Sequence, residues 1–214
     1  MSILSKIPPP SLGLCASIGA PALLSRRRVL KTAAAALVAG AGLRAAPAWC
    51  QQAQAAGAPD LGSPFWASDR RLSLRHASGD VIDEVYWAEG QLNVPGYLNF
   101  CRFFRDRVVG EVVTIDVALF DILYGIAGWL RYYNVSSGFV ATSCHRERHR
   151  NRLIEGAALD SRHISGQAVD GYIPGVNTLM LASFARWLGA GGVGWYPQRG
   201  FVHVDTGTRR TWRG

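Results

Sequence analysis

The chain has 214 residues, 49% of them apolar and 18% charged, with a formal net charge of +8. That charge does not support nucleic-acid binding: residues 1–48 hold six of the 23 Lys and Arg and none of the 15 Asp and Glu, leaving 17 arginines against 15 acids in the rest. The arginine-dense run at 146–152 reads as a solvated surface rather than a nucleic-acid patch.

Taken in chain order, residues 25–31 (Ser-Arg-Arg-Arg-Val-Leu-Lys) read as a twin-arginine export signal. An Ala-rich apolar stretch at 32–46 and a small-residue cleavage pattern ending at Ala48 complete it. The stretch is interrupted by Arg44 and falls short of the roughly 18–20 apolar residues that a membrane span needs. Residues 1–48 are therefore expected to be a signal handled by the twin-arginine translocase. The mature chain is expected in the periplasm or cell envelope, with no membrane span of its own; an N-terminal anchor helix is the alternative. Residues 49–69, small, polar and turn-rich, read as a linker, and 70–214 as one domain. An oxidising compartment would permit a Cys101–Cys144 disulfide. The absence of Cys-x-x-Cys spacing argues against a structural zinc knuckle or redox motif.

Within the domain, residues 71–87 alternate around Ser78-Gly79-Asp80 and predict a hairpin, with His76 structural. Apolar residues at Tyr97, Leu98, Phe100, Cys101, Phe104 and Val108 predict a helix over 95–109. Asp116 is placed to cap a core helix over 117–131. A strand over 135–142 leads into the Arg/His-rich stretch, with Glu155 at a helix end. A further amphipathic helix over 176–188 stops at Gly189, and 192–207 reads as strand, turn, strand. The class is α+β, a small antiparallel sheet flanked by helices.

His163, Asp170 and His203 are the candidate metal ligands. Two imidazoles and one carboxylate leave a fourth tetrahedral position open, the layout of a catalytic rather than a structural zinc site. Ser165 and Gly166 favour a loop running into a strand between the first two. On the last strand Phe201, His203 and Asp205 share one face, while Val202 and Val204 point the other way. From spacing alone, a chance grouping of satisfied strand histidines stays open.

The strings Ser161-x-His163-x-x-Gly166-x-Ala168-x-Asp170, Gly194-Trp-Tyr-Pro197 and Phe201-Val-His-Val-Asp-x-Gly207 resemble the YcbK-like murein endopeptidases. These belong to the zinc D-Ala-D-Ala peptidase superfamily, which shares its fold with the hedgehog signalling domain. The resemblance covers roughly residues 70–214. It implies Zn²⁺ held by His163, Asp170 and His203, and cleavage of peptide cross-links in peptidoglycan.

Two departures from that pattern bear on mechanism. Many members of the superfamily place an acidic residue three before the last His, where this chain has Gly200; Asp205 is the remaining candidate for a base or for a group orienting a ligand His. The family's Ser-Gly-Tyr-Arg-Ser stretch is matched to Ser137-Gly138-Phe139-Val140-Ala141, so Val140 stands where a guanidinium is expected. His145, Arg146 and Arg148 are candidates to replace it, and Trp195 and Tyr196 to line a groove for glycan or peptide. A zinc peptidase of the cell wall is the leading reading. Its rival is a degenerate, non-catalytic domain that binds zinc and a wall peptide.

Overall fold

The computed structural model describes residues 63–154 and 156–214. The expected export signal, the first part of the expected linker and Glu155 lie outside them.

The described chain opens on a short helix, α1 (Ser63–Ala67), inside the span expected as linker. Phe65 stacks on Tyr124 with centroids 4.5 Å apart, and the Arg70 guanidinium lies against both Trp66 and Trp87. These aromatics find apolar surface, so residues 63–69 fold onto the domain. The hairpin follows as expected. Strand β1 (Arg70–His76) buries alternate residues, Leu72 and Leu74 among them, and pairs antiparallel with β2 (Val81–Ala88). Gly79, at φ +101°, makes the turn. A two-residue strand, β3 (Gln91–Leu92), pairs back on β2.

Helix α2 (Val94–Phe103) ends earlier than the periodicity predicts. The Asp106 carboxylate accepts the backbone N–H groups of Val108 (2.8 Å) and Val109 (3.4 Å), which turns the chain out of the helix. Helix α3 (Val117–Tyr132) starts at Asp116, whose side chain accepts the Ala118 N–H at 3.0 Å, as the sequence predicts. Strand β4 (Val140–Ser143) and the short helix α4 (Arg148–Arg152), capped by Glu147, precede β5 (Ala168–Tyr172). Helix α5 (Thr178–Trp187) is capped by Asn177, and β6 (Gly192–Tyr196), β7 (Phe201–Asp205) and β8 (Arg210–Arg213) complete the fold.

The eight strands form one sheet in the order β3-β2-β1-β4-β5-β7-β6-β8. The expected small antiparallel sheet is corrected on both counts, since β1–β4 and β6–β8 are parallel pairs. Parallel neighbours need a crossover between them; helices α2 and α3 lie between β1 and β4, and β7 lies between β6 and β8. One face of the sheet packs on helices α3 and α5, with Phe100, Phe104, Phe120 and Tyr86 at the centre and Trp129 stacked on Phe184. Val169, Val193, Val202 and Val204 point into that core. Strand periodicity then sends Asp170, Gly194, His203 and Asp205 to the opposite face. Cys101 and Cys144 are both buried and unbonded, so the permitted disulfide is not formed. Burial pushes the Cys144 thiol up to about 12, leaving it unreactive. None of the described helices is long and apolar enough to cross a membrane.

Candidate metal centre

Neighbouring antiparallel strands bring the first two groups together, because Asp170 on β5 stands directly opposite His203 on β7. His163 arrives from the turn before β5. That turn closes at Gly166, at φ +67°, where a side chain would meet the Thr114 carbonyl. All three residues are buried. His163 Nε2 lies 3.2 Å from Asp170 Oδ1 and 3.2 Å from His203 Nδ1, and His203 Nδ1 lies 2.8 Å from Asp170 Oδ1.

The outer hydrogen bonds fix which atoms face inward. His163 Nδ1 donates to the Cys144 carbonyl at 2.6 Å, which leaves a lone pair on Nε2. His203 Nε2 donates to Asp205 Oδ2 at 2.9 Å, which leaves a lone pair on Nδ1. With both rings neutral, three acceptor atoms converge, an arrangement that is repulsive unless a positive charge joins it, either a proton on His203 or a metal ion. Ligands at about 2.0 Å from a tetrahedral metal are about 3.3 Å apart, close to the edges of this triangle. The donor set fits Zn²⁺ well. A carboxylate behind one imidazole and a carbonyl behind the other are the usual way such rings are oriented.

The electrostatics favour positive charge at this point. Burial pushes the Asp170 carboxyl up, but the two imidazoles outweigh it and hold the group far below the usual carboxylate range. Burial lowers His163, keeping it neutral as a metal ligand requires, against the pull of Asp170. Burial also lowers His203, yet Asp170 and Asp205 together raise it above its ordinary value. Two carboxylates thus make this pocket attractive to positive charge. Arg146 reaches it from the loop after β4: Nη2 donates to Asp170 Oδ2 at 2.6 Å and Nε to Ser143 Oγ at 2.8 Å. In front of the triad a cavity of about 500 Å³ opens, bordered by Arg146, Tyr196, Phe201 and Trp212 among others.

The family model described as "Peptidoglycan L,D-endopeptidase MepK" matches residues 66–212. The chain belongs to this family. Among curated relatives, the peptidoglycan L,D-endopeptidase MepK of Escherichia coli K12 is 40% identical over 115 residues, 52% of this chain and 62% of that protein. The MepK of Shigella flexneri matches to the same extent. The probable peptidoglycan L,D-endopeptidase MepK of Haemophilus influenzae is 40% identical over 114 residues, 51% of this chain and 60% of that protein. The matched part thus spans about three fifths of these relatives. No solved structure matches the chain significantly.

Against this MepK-family fold, the expected site residues divide. Arg146 and Tyr196 border the cavity; Tyr196 stacks on Phe201 at 4.5 Å and its hydroxyl accepts Trp212 Nε1 at 2.9 Å. Asp205 does not face the cavity. It is wholly buried behind His203, its oxygens taken by the Gly192 and Gly207 N–H groups (2.8 Å each), His203 and Arg210, so it orients the imidazole and has no access to substrate as a base. His145 is buried between Glu111 and the His163 carbonyl, and Arg148 is exposed on α4 away from the cavity. Trp195 follows the other strand face, where its indole donates to Thr178 Oγ1 at 3.0 Å and carries Arg213 over its ring. Adjacent strand residues point oppositely, so Trp195 and Tyr196 cannot both line one groove.

Val140 does not border the cavity in front of the triad. It pairs with Tyr172 and borders a separate groove near Gly138. Strand β4 runs on past it, bulges between Ala141 and Ser143, and turns, after which Arg146 reaches Asp170. Sequence reasoning missed Trp212 and Arg210, which come from the unforeseen strand β8. Trp212 packs over Gly194 and beside the His203 ring, centroids 5.2 Å apart.

Proposed function

We propose that the chain is an exported zinc peptidase of the cell envelope that hydrolyses peptide cross-links in peptidoglycan, at the L,D-linked amide named for its MepK relatives. In this reading residues 1–48 are a twin-arginine signal, and His163, Asp170 and His203 hold the ion. The observation that carries it is the triangle of three inward lone pairs whose remaining N–H groups are committed to Cys144 and Asp205.

A zinc ion in that position supplies Lewis acidity and activates water near neutral pH. The protein's own groups do the rest. Asp205 keeps His203 in the tautomer that offers Nδ1. Arg146 holds Asp170 from the outside and presents cationic surface to the cavity, suited to developing negative charge on a carbonyl oxygen. Tyr196, Phe201 and Trp212 form an aromatic wall for an extended peptide. The non-catalytic alternative rested on Val140 standing where a guanidinium is expected; that Arg146 brings one to the border of the cavity supports the catalytic reading.

The test is turnover of cross-linked muropeptides by the purified chain, with and without zinc, beside a His163→Ala control. Chelator-sensitive cleavage is expected, falling roughly a hundredfold or more in the control together with its bound zinc. Stoichiometric zinc without cleavage supports the binding-only domain instead.

A further inference from the structure

Ile154, Ala157, Ala158 and Asp160 border the cavity in front of the triad, on the segment that runs from α4 into His163. This wall has little of its own to hold it. The described residues between 153 and 160 form no helix or strand, and Leu153 and Leu159 are 74% and 72% exposed, so its leucines do not anchor it. Two turns stiffen the backbone locally: the Ala157 N–H donates to the Ile154 carbonyl at 3.1 Å and the Ser161 N–H to the Ala158 carbonyl at 3.2 Å. Among the described residues one side chain reaches this wall with a hydrogen bond. Asn151, in α4, donates from Nδ2 to the Ala158 carbonyl at 2.8 Å. Asn151 does not itself border the cavity.

Asn151 is wholly buried, and its Oδ1 accepts no hydrogen bond among the described residues. A buried acceptor without a donor costs stability, and a leucine, with the same branching, would not carry that cost. Loss of Nδ2 would cost the fold little, because Ala158 is exposed and its carbonyl keeps the Ser161 N–H. The fold therefore gains little from an amide at this position, whereas the cavity wall gains its one fixed point. We infer that Asn151 is a positioning residue: by fixing the Ala158 carbonyl it holds the 153–160 wall at the distance from the triad that substrate requires. This inference rests on the peptidase reading above and goes beyond it, assigning the width of the cavity to a side chain outside the cavity. A residue kept for function at some expense of stability is a familiar trade.

The test compares the unaltered chain with Asn151→Leu and Asn151→Ala, all zinc-loaded, on one cross-linked muropeptide. In Asn151→Leu KM is expected to rise about five- to tenfold, the size of one lost hydrogen bond, with kcat held within about twofold. Its zinc affinity and thermal midpoint should stay close to those of the unaltered chain. Hydrogen exchange, read by mass spectrometry, should quicken over residues 153–160 and not in α3 or β7. Asn151→Ala should show the same rise in KM with a lower midpoint, because it also leaves a cavity; if only this variant folds, its KM and exchange decide. Unchanged KM, a fall in kcat alone, or unchanged exchange over 153–160 overturns the inference. So does failure of both variants to fold, since Asn151 would then serve the fold. If the unaltered chain cleaves no muropeptide the peptidase reading fails. Exchange and calorimetric affinity for the same muropeptide then decide the wall separately: faster exchange together with weaker binding in Asn151→Leu upholds it, and anything less overturns it.

Discussion

Asp205 shows how much one buried carboxylate determines. Burial pushes its pKa up, yet His203, two backbone N–H groups and Arg210 hold it far below the usual range. In Asp205→Asn the amide oxygen can still accept the Gly192 and Gly207 N–H groups, but its NH2 would then face donors on His203 and Arg210. The imidazole is driven to the other tautomer and places a proton where the ion belongs. Zinc affinity, measured by competition with a chromophoric chelator, is expected to fall about 10–100-fold with the fold intact. At this scale much of the centre was legible. His163, Asp170 and His203 stood out by type and local pattern, and the alternation of β7 put Asp205 on the face of His203. The sequence did not say which of two roles Asp205 takes, because that depends on which oxygens its neighbours use. Arg146 was one of three candidates in the Arg/His-rich stretch, and only the turn after β4 decides which of them reaches Asp170.

The segment that carries Arg146 is braced by a loop distant from it along the chain. Asp106, fully buried, accepts the Glu147 N–H at 2.8 Å and the Arg150 guanidinium at 3.1 Å, while Glu111 reaches His145 at 2.9 Å. Burial raises the Asp106 carboxyl, but the Glu147 and Val108 N–H groups and Arg150 outweigh it and leave its pKa below the ordinary value. A carboxylate lowered on folding adds stability that is complete above the unfolded value, near 4, and is lost as pH falls through the folded one. Asp106→Ala strands the N–H groups at the start of α4 and should cost about 2–3 kcal/mol in urea titrations at pH 7. The gap between the two proteins should narrow below about pH 4. Helices were the legible elements, since Asp116 and the apolar stripes announced α3, and α5 likewise follows its stripe. Strands β3 and β8 were not: one is two residues long, and Arg210–Arg213 shows no buried alternation.

Over the whole molecule, what the sequence concealed was non-local pairing. Arg75 pairs with Val140 and Gly192 with Arg210, parallel contacts that leave no periodic mark in either segment, so a mixed sheet of eight strands read as a small antiparallel one. The same pairing would make a bound ion a fastener between distant stretches, because the three proposed ligands span 163 to 203. Zinc at about a hundred times its dissociation constant should stabilise the fold by about 2.7 kcal/mol. That corresponds to roughly 5–10 °C in calorimetric midpoint for a domain of this size. The gain should vanish with chelator and in His163→Ala. Strand β8 adds a practical corollary. It hangs on the sheet by β6 alone, yet it supplies Arg210 to Asp205 and Trp212 to the cavity wall. A protease clipping the chain after Thr208 would leave every metal ligand in place while removing both, so for this protein an intact mass spectrum belongs beside every activity measurement.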